Sequence, residues 1–462
     1  MTIQVTSIPN PEEVGLKSAA ANRDAKLIEL LNLSRSQELQ VLDPEMVGWL
    51  QELRDRAASW LPHLKFPTTR DEEWRVTDIS PLLKLSFQAA KSADVPQSAI
   101  EGLTLAEAAE SRLVFVNGVY APALSSVTNL PDGIFAGNLA QLPITYRTRI
   151  DNYFAQQKGF DEVFTSLNTA GLTDAAVVWV AKNVVVETPI HLLFISTFSD
   201  RPTLSQPRCL VVAEPNSQVT LIEDYLPVGD WCADKTHPYL INTVTEIWVE
   251  DNAEVRHNRI QRDSGAAFHI GKSAIAQSRN SRYTCNAVSL GGKISRHNLE
   301  IYQLGEQTET TLNGLTMISG EQIGDTHSAI ILNHPHSTTR QLQKCIVADK
   351  AHSVFNGKVF VAKAAQLTDA GQLNRNLLLS PKARVDTKPQ LEIIADNVKC
   401  THGATVSQLD DEEVFYLQSR GLDKASANNL LVDAFAIEII NQIPIASLQT
   451  SLSRCVACRT VE

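Results

Sequence analysis

Between residues 175 and 409 the chain is a succession of short runs of Val, Ile and Leu, each broken within a few residues by Asn, Asp, Gly, Pro or Lys, with no helical periodicity between them. Residues 184–186, 192–195, 210–212, 219–222, 245–249 and 329–332 read as strands, because β-branched side chains fit a pleated, half-buried surface. A doubly wound fold needs a helix between successive parallel strands, so this texture excludes it and leaves a sandwich, a propeller or a β-solenoid. Similar turns precede several apolar runs: Glu214-Pro215-Asn216-Ser217-Gln218-Val219, Glu250-Asp251-Asn252-Ala253-Glu254-Val255 and Ser380-Pro381-Lys382-Ala383-Arg384-Val385. A turn followed by Val favours a solenoid, in which each coil buries its apolar side on the next. The spacing is too irregular for pattern alone to decide.

Both ends have another texture. Residues 19–33 and 44–61 carry apolar side chains at helical spacing, with Leu27, Leu30 and Leu31 on one face and Met46, Leu50 and Leu53 on another. Asp43-Pro44 marks a helix start, since proline suits a first turn whose N–H has no helical acceptor. Residues 113–116 run into an Asn117-Gly118 turn and leave it at Val119 and Tyr120, which is a hairpin signal. Beyond Leu409, residues 411–418 and 424–441 return to helix around a stop at Gly421, and Leu430, Leu431, Ala434, Phe435 and Ile437 form an apolar stripe. The acidic run from Asp410 to Glu413 suits a helix start, where negative charge is favoured. The expected organisation is a helical region at 1–110, a connecting α/β segment at 111–174, the strand core at 175–409, a helical domain at 410–442 and a tail at 443–462.

Charge and composition narrow the function. With 41 Lys and Arg against 52 Asp and Glu, the formal charge of −11 denies the chain the positive field that nucleic acid or anionic lipid requires. Apolar runs such as 177–186, broken by Lys182 and Asn183, are too short to span a bilayer. Residues 1–10 lack the basic start and apolar stretch of an export signal, and seven scattered cysteines make no secreted disulfide framework, so a cytoplasmic setting is expected. Residues 265–273, GAAFHIGKS, miss the spacing of a phosphate-binding loop, with Ala266 where its first glycine is required, so ATP binding is not expected. No Gly-x-Ser-x-Gly elbow is present to support a hydrolase.

Specific residues go further. Residues 399–422, KCTHGATVSQLDDEEVFYLQSRGL, and 376–393, NLLLSPKARVDTKPQLEI, resemble the C-terminal signature of the SufB and SufD scaffold proteins of iron–sulfur cluster assembly, and 70–84, RDEEWRVTDISPLLK, is similar to the N-terminal signature of the D-type branch. Residues 113–120, 164–171, 334–349 and Phe355-Asn356-Gly357-Lys358 also resemble family blocks, so the likeness spans about residues 50–440. It implies a right-handed parallel β-helix between helical ends and a scaffold without turnover of its own. The implied partners are a SufB-type subunit, met through the β-helix, and a SufC-type ABC ATPase, met through the C-terminal helices; a homodimer is possible when the chain is alone. No cysteine precedes Cys209, which departs from the B-type pattern.

Cys400 and His402, two apart in a strand, point to one face, and thiolate and imidazole both ligate iron. The plainer alternative is a buried small thiol beside a satisfied polar ring. The resemblance puts His402 at the position of the histidine implicated in building the cluster at the B–D interface, with Cys400 at the same interface. Two ligands cannot hold a cluster that takes four, so the rest are expected from the partner, with a nascent cluster in the complex and no cofactor stably bound to the chain alone. The resemblance also assigns Tyr416, Arg420 and Gly421 to the ATPase-binding region. Cys455-Val456-Ala457-Cys458 has metal-ligand spacing but no second pair to complete a site. His334-Pro335-His336 is expected at a β-helix corner.

Overall fold

The computed structural model describes residues 11–37, 39, 44–159, 161–229 and 236–460, with side chains from 22 to 457 within those ranges. The reading of residues 1–10, and Asp43, Cys232 and the side chain of Cys458, lie outside the described residues.

Successive strands alternate between two sheets. The first sheet sets Arg208–Ala213, Tyr239–Val249, Phe268–Gln277, Ile294–Gln303, Ile323–Leu332, His352–Val361 and Arg384–Ile393 side by side. The second does the same with Gln218–Pro227, Glu254–Gln261, Arg282–Ser289, Glu309–Ile318, Thr338–Val347, Asp369–Leu378 and Lys399–Ser407. Each strand pairs in parallel with the strand two steps on, so the chain winds as a flattened parallel β-solenoid of about eight turns. In the first sheet Phe268 stands beside Ile294, then Ile323, His352 and Arg384, so a coil takes from 26 to 32 residues. That variation is why no fixed period is legible in the sequence.

The bend from the first sheet to the second uses one left-handed residue per coil: Asn183, Asn216, Asn252, Asn280, Gln307, His336 and Leu367 have φ from +56° to +66°. Asparagine tolerates this region because its short polar side chain bonds locally. Here the amides of Asn216, Asn252 and Asn280 each donate to the Asn one coil back, at 2.8–3.1 Å. Two of the three turn-then-Val repeats lie at this corner; the third, at Ser380, lies at the opposite bend, where its hydroxyl bonds Asp349 O. Residues 184–186 follow the turn as an isolated parallel bridge, Val185 to Gln218, rather than a full strand.

The interior divides lengthwise. Toward the Asn corner it is apolar, with Val211, Ile247, Ile275, Ile301, Ile330 and Val359 stacked coil on coil. Toward the other bend it is polar, filled by buried Glu223, His257, Arg259, His269, Gln341, Gln343, Gln372 and Asn374. Three glycines make room for these long side chains: a Cβ on Gly271, Gly314 or Gly357 would strike Arg259, Gln343 or Gln372 respectively.

The solenoid begins earlier than expected, since Ser111–Val116 already pairs in parallel with Ile190–Ser196 inside the connecting segment. Among the described residues, four α-helices precede the core: α1 (Pro11–Arg35), α2 (Pro44–Trp60), α3 (Ile144–Arg147) and α4 (Val163–Ala170). Leu27, Leu30, Trp74 and Phe164 pack on Phe268, Ile270 and Ile294, while Met46, Leu50 and Leu53 pack with Trp179, Leu210 and Val212, so the N-terminal region covers the outer face of the first sheet. After it come α5 (Asp411–Ser419), α6 (Lys424–Ile440) and α7 (Ala446–Thr460).

Two expectations need correction here. The residues read as a tail form α7, whose Leu448, Leu452 and Val456 recur every fourth residue and are buried with Val432, Ala436 and Ile439 against Ile222, Ile260 and Ile346 of the second sheet. In α6 the stripe read from the sequence is largely the wrong face: Leu430 and Ile437 are 49% and 38% exposed, and Val432, Ala436, Ile439 and Ile440 face the sheet. This helix is apolar nearly all round, so spacing cannot choose the buried side. Among the described residues no helix is long and apolar enough to cross a membrane.

Candidate functional site at the open end of the solenoid

Lys399–Ser407 is the last strand of its sheet, and its one neighbour there is Asp369–Leu378. Arg384–Ile393 ends the other sheet in the same way, against His352–Val361. Both terminal strands therefore keep one row of backbone donors and acceptors unpaired in the sheets, the property that makes a sheet edge a template for another chain. Apolar side chains line this end, with Ile393, Ile394 and Val406 exposed by 42%, 54% and 52%.

Register fixes where the two candidate ligands point. Cys400 stands beside Ala370 and His402 beside Gln372, and both neighbours are buried in the solenoid interior. Side chains alternate along a strand, so Cys400, His402, Ala404 and Val406 all project over the interior from the last coil. With no coil above them, the His402 ring is exposed and Cys400 is half-buried against the apolar column. Burial, helped by Asp369, pushes the Cys400 thiol above its ordinary value, while the Ala370 backbone pulls the other way. The resting group is a thiol, and a metal or a cation brought by a partner must displace its proton. Among the described residues, no three His, Cys, Asp or Glu side chains converge as a metal site.

Along the edge of the same coils lies a groove of about 590 Å³, lined by His402, Gln372, Arg340, Leu373, Thr401 and Gly403 among others. Arg340 and Lys399 both lie within ion-pair distance of Asp369 on its rim.

The other sulfur atoms with described surroundings are elsewhere. Cys209, Cys285 and Cys345 are buried within the solenoid, and burial pushes the thiols of Cys209 and Cys345 upward. Cys455 sits on α7 near Arg262, far along the second sheet. His336 occupies the left-handed corner position, its N–H donated to Gln366 O. Residues 268–277 are a strand bonded on both sides, and the Lys272 amine is held by Glu162, Glu300 and Gly159 O, so no phosphate cradle forms there.

A second exposed surface sits on the C-terminal helices. Asp410 caps α5 by accepting from Glu412 N at 2.8 Å, which explains the acidic start. Tyr416 is 57% exposed, and Arg420 reaches it with a 3.2 Å hydrogen bond to the hydroxyl and its guanidinium 5.3 Å from the ring centre. Gly421, at φ +97°, ends the turn in a conformation that favours glycine. Phe415, Leu422, Leu430 and Ile437 of the same helical region are exposed as well. Sequence reading missed Phe415 and the edge residues Val406, Ile393 and Ile394; the signal available was apolar side chains with no further coil to receive them.

Comparison with known proteins gives two family matches that together cover most of the chain. The N-terminal region model of SufBD proteins matches residues 23–192, and the SufBD core domain model of the SUF iron–sulfur cluster assembly system matches residues 194–435. An iron–sulfur cluster assembly SufBD family protein of Synechocystis is 49% identical over 96% of this chain and all of its own length. The iron–sulfur cluster assembly protein SufD of Escherichia coli is 31% identical over 81% of this chain and 84% of its own. SufD of Bacillus subtilis is 28% identical over 88% and 92%.

Proposed function

The chain belongs to the SufBD family of iron–sulfur cluster assembly proteins, and from that premise we propose that it is a non-catalytic scaffold subunit whose open solenoid end forms half of a shared assembly site. The supporting observation is the bare last coil, where an exposed imidazole and a half-buried thiol face the same way between two unpaired sheet edges. A SufB-type subunit continues the two sheets and brings the remaining ligands, so the nascent cluster is cargo held between the chains. His402 contributes a nitrogen ligand; Cys400 contributes sulfur once its proton is displaced. A SufC-type ABC ATPase docks on the patch around Tyr416, Arg420 and Gly421, and ATP chemistry belongs to it.

The test is co-purification with the tagged full-length chain, followed by cluster reconstitution on what is recovered. A cysteine-richer homologue and an ABC ATPase are expected together, and His402→Ala should keep both while losing the visible absorption of the cluster. Normal cluster yield in that variant would overturn the ligand role. A stable cluster on the isolated chain would overturn the shared site.

A further inference from the structure

The signature at residues 70–84 is unabsorbed by the proposed site, yet it holds a defined place. Its first part lies across the outer face of the first sheet and spans four coils. Trp74 stacks on Arg296, the guanidinium carbon 3.9 Å from the ring centre, and Arg296 Nη1 donates to Glu73 O at 2.7 Å. Thr77 donates to Asp325 at 2.6 Å, and Glu72 meets Lys388 of the last strand at 2.8 Å.

At the centre is His327, its side chain 12% exposed. Nδ1 lies 2.9 Å from Glu73 Oε2 and Nε2 lies 3.0 Å from Asp325 Oδ1. A neutral imidazole has one N–H and satisfies one carboxylate; only the imidazolium satisfies both. Arg296 Nη1 also points a hydrogen at Nε2 from 3.3 Å, a longer contact than the 2.7 Å bonds it gives Glu73 O and Asp325 Oδ2. Asp325 Oδ1 is buried without a well-aligned hydrogen bond, and the ring's Nε2, 3.0 Å away, is the cationic group that would face it on protonation.

We propose that residues 70–79 are a pH-sensitive strap, latched onto the first sheet by His327 in its doubly protonated form and released when that ring loses a proton. The groups facing the ring are Glu73 from the strap, Asp325 on its own strand, Arg296 from the coil before, and Lys388 beyond the neutral Asn356. Burial alone would lower the histidine's value, but Asp325 and Glu73 outweigh burial and Arg296 and hold it above the ordinary 6.5. A raised folded value means that the latch is fully made below the unfolded value and lost as pH climbs through the folded one. Glu73, held below its ordinary 4.5 by His327, sets the acid limit, where the latch is lost as pH falls through its folded value. The strap is therefore tightest between about pH 5 and 6.5.

The inference needs no step of the proposed function and is tested on the full-length chain alone. Hydrogen exchange of amides 70–79, corrected for intrinsic rates, should show protection falling about tenfold between pH 6 and pH 9. Amides 338–378 of the solenoid should hold their protection as the folding control. In Glu73→Gln, the His327 ring signal followed by NMR should titrate about one unit lower. In His327→Gln, strap protection should be weak at both pH values. Equal strap protection at pH 6 and pH 9 in the unmodified chain, or a His327 midpoint unmoved by Glu73→Gln, would overturn the latch.

Discussion

Glu223 keeps its charge where water does not reach because four neighbours face it. Tyr225 donates to it at 2.5 Å, Thr245 and His257 lie at 3.0 Å, and Arg259 lies at 3.8 Å. Burial alone would raise its pKa; His257 and Arg259 reverse that and bring it to about 2. Burial likewise opposes the charge on His257, yet Cys285 and Glu223 lift it to about 9. Glu223, depressed, adds stability above its unfolded value that is lost as pH falls toward about 2; His257, raised, adds stability below 6.5 that is lost as pH climbs through about 9. Urea unfolding should therefore show a midpoint that declines on the alkaline side over this interval. His257→Leu should flatten part of that decline and cost on the order of 3 kcal/mol at neutral pH, because a buried carboxylate loses its main partner. A variant as stable as the parent would contradict the ion pair. None of this network was legible in the sequence: Glu223 sits beside Asp224, and His257 and Arg259 lie in the polar run Arg256-His257-Asn258-Arg259, and polar residues in a strand ordinarily mark its solvent face. Cys400 and His402 were legible because their two-residue spacing puts them on one face in any strand.

At the scale of elements, the docking of α6 turns on one lysine. Lys344, in a strand whose neighbouring residues Gln343 and Cys345 face the interior, sends its amine outward to Phe435 O at 2.7 Å and Glu438 at 2.5 Å, with the Phe435 ring centre 4.0 Å away. The amine satisfies a helix carbonyl and a carboxylate at once, at a place only 3% exposed. Lys344→Met keeps the stem's apolar volume and removes those bonds, so it should cost about 1–3 kcal/mol. Its signature should be local: faster exchange of amides in α6, unchanged exchange in strand His352–Val361. Weaker capture of the ATPase should follow if α6 presents the docking patch. Helix limits were legible, from the acidic run at Asp410 and the stop at Gly421, because capping chemistry is local. The buried face of α6 was not, since Leu430 and Ile437 are as apolar as Ile439 and Ile440 and only the sheet beneath distinguishes them. In α7 the spacing of Leu448, Leu452 and Val456 carried a readable signal among polar neighbours.

Across the whole molecule, the two ends of the solenoid are treated differently. At the first end Ile134–Asn138 runs antiparallel against Ala176–Val180, and Val119–Tyr120 and Ser126–Val127 fold back on Ser111–Val116, so the ladder stops on reversed strands. At the last end the parallel ladder breaks off, while α6 and α7 lie over the second sheet's outer face instead of over the opening. The strand-rich core could be read from composition, but coil length and the bare end depend on where the winding stops, which no local pattern encodes. Stacked repeats need polar caps for solubility, so an apolar uncapped coil requires a partner. Val406 tests this directly, because it projects over the opening and has little beneath it to disturb. Val406→Lys places a charge where a neighbouring sheet edge would seat, a device that edge strands use against pairing. The variant should unfold within about 0.5 kcal/mol of the parent, as a surface change does. In sedimentation it should lose association through this end, with a second copy when alone and with the homologous subunit when mixed. Undiminished association of a stable Val406→Lys chain would move the interface elsewhere and leave Cys400 and His402 facing solvent without a second set of ligands.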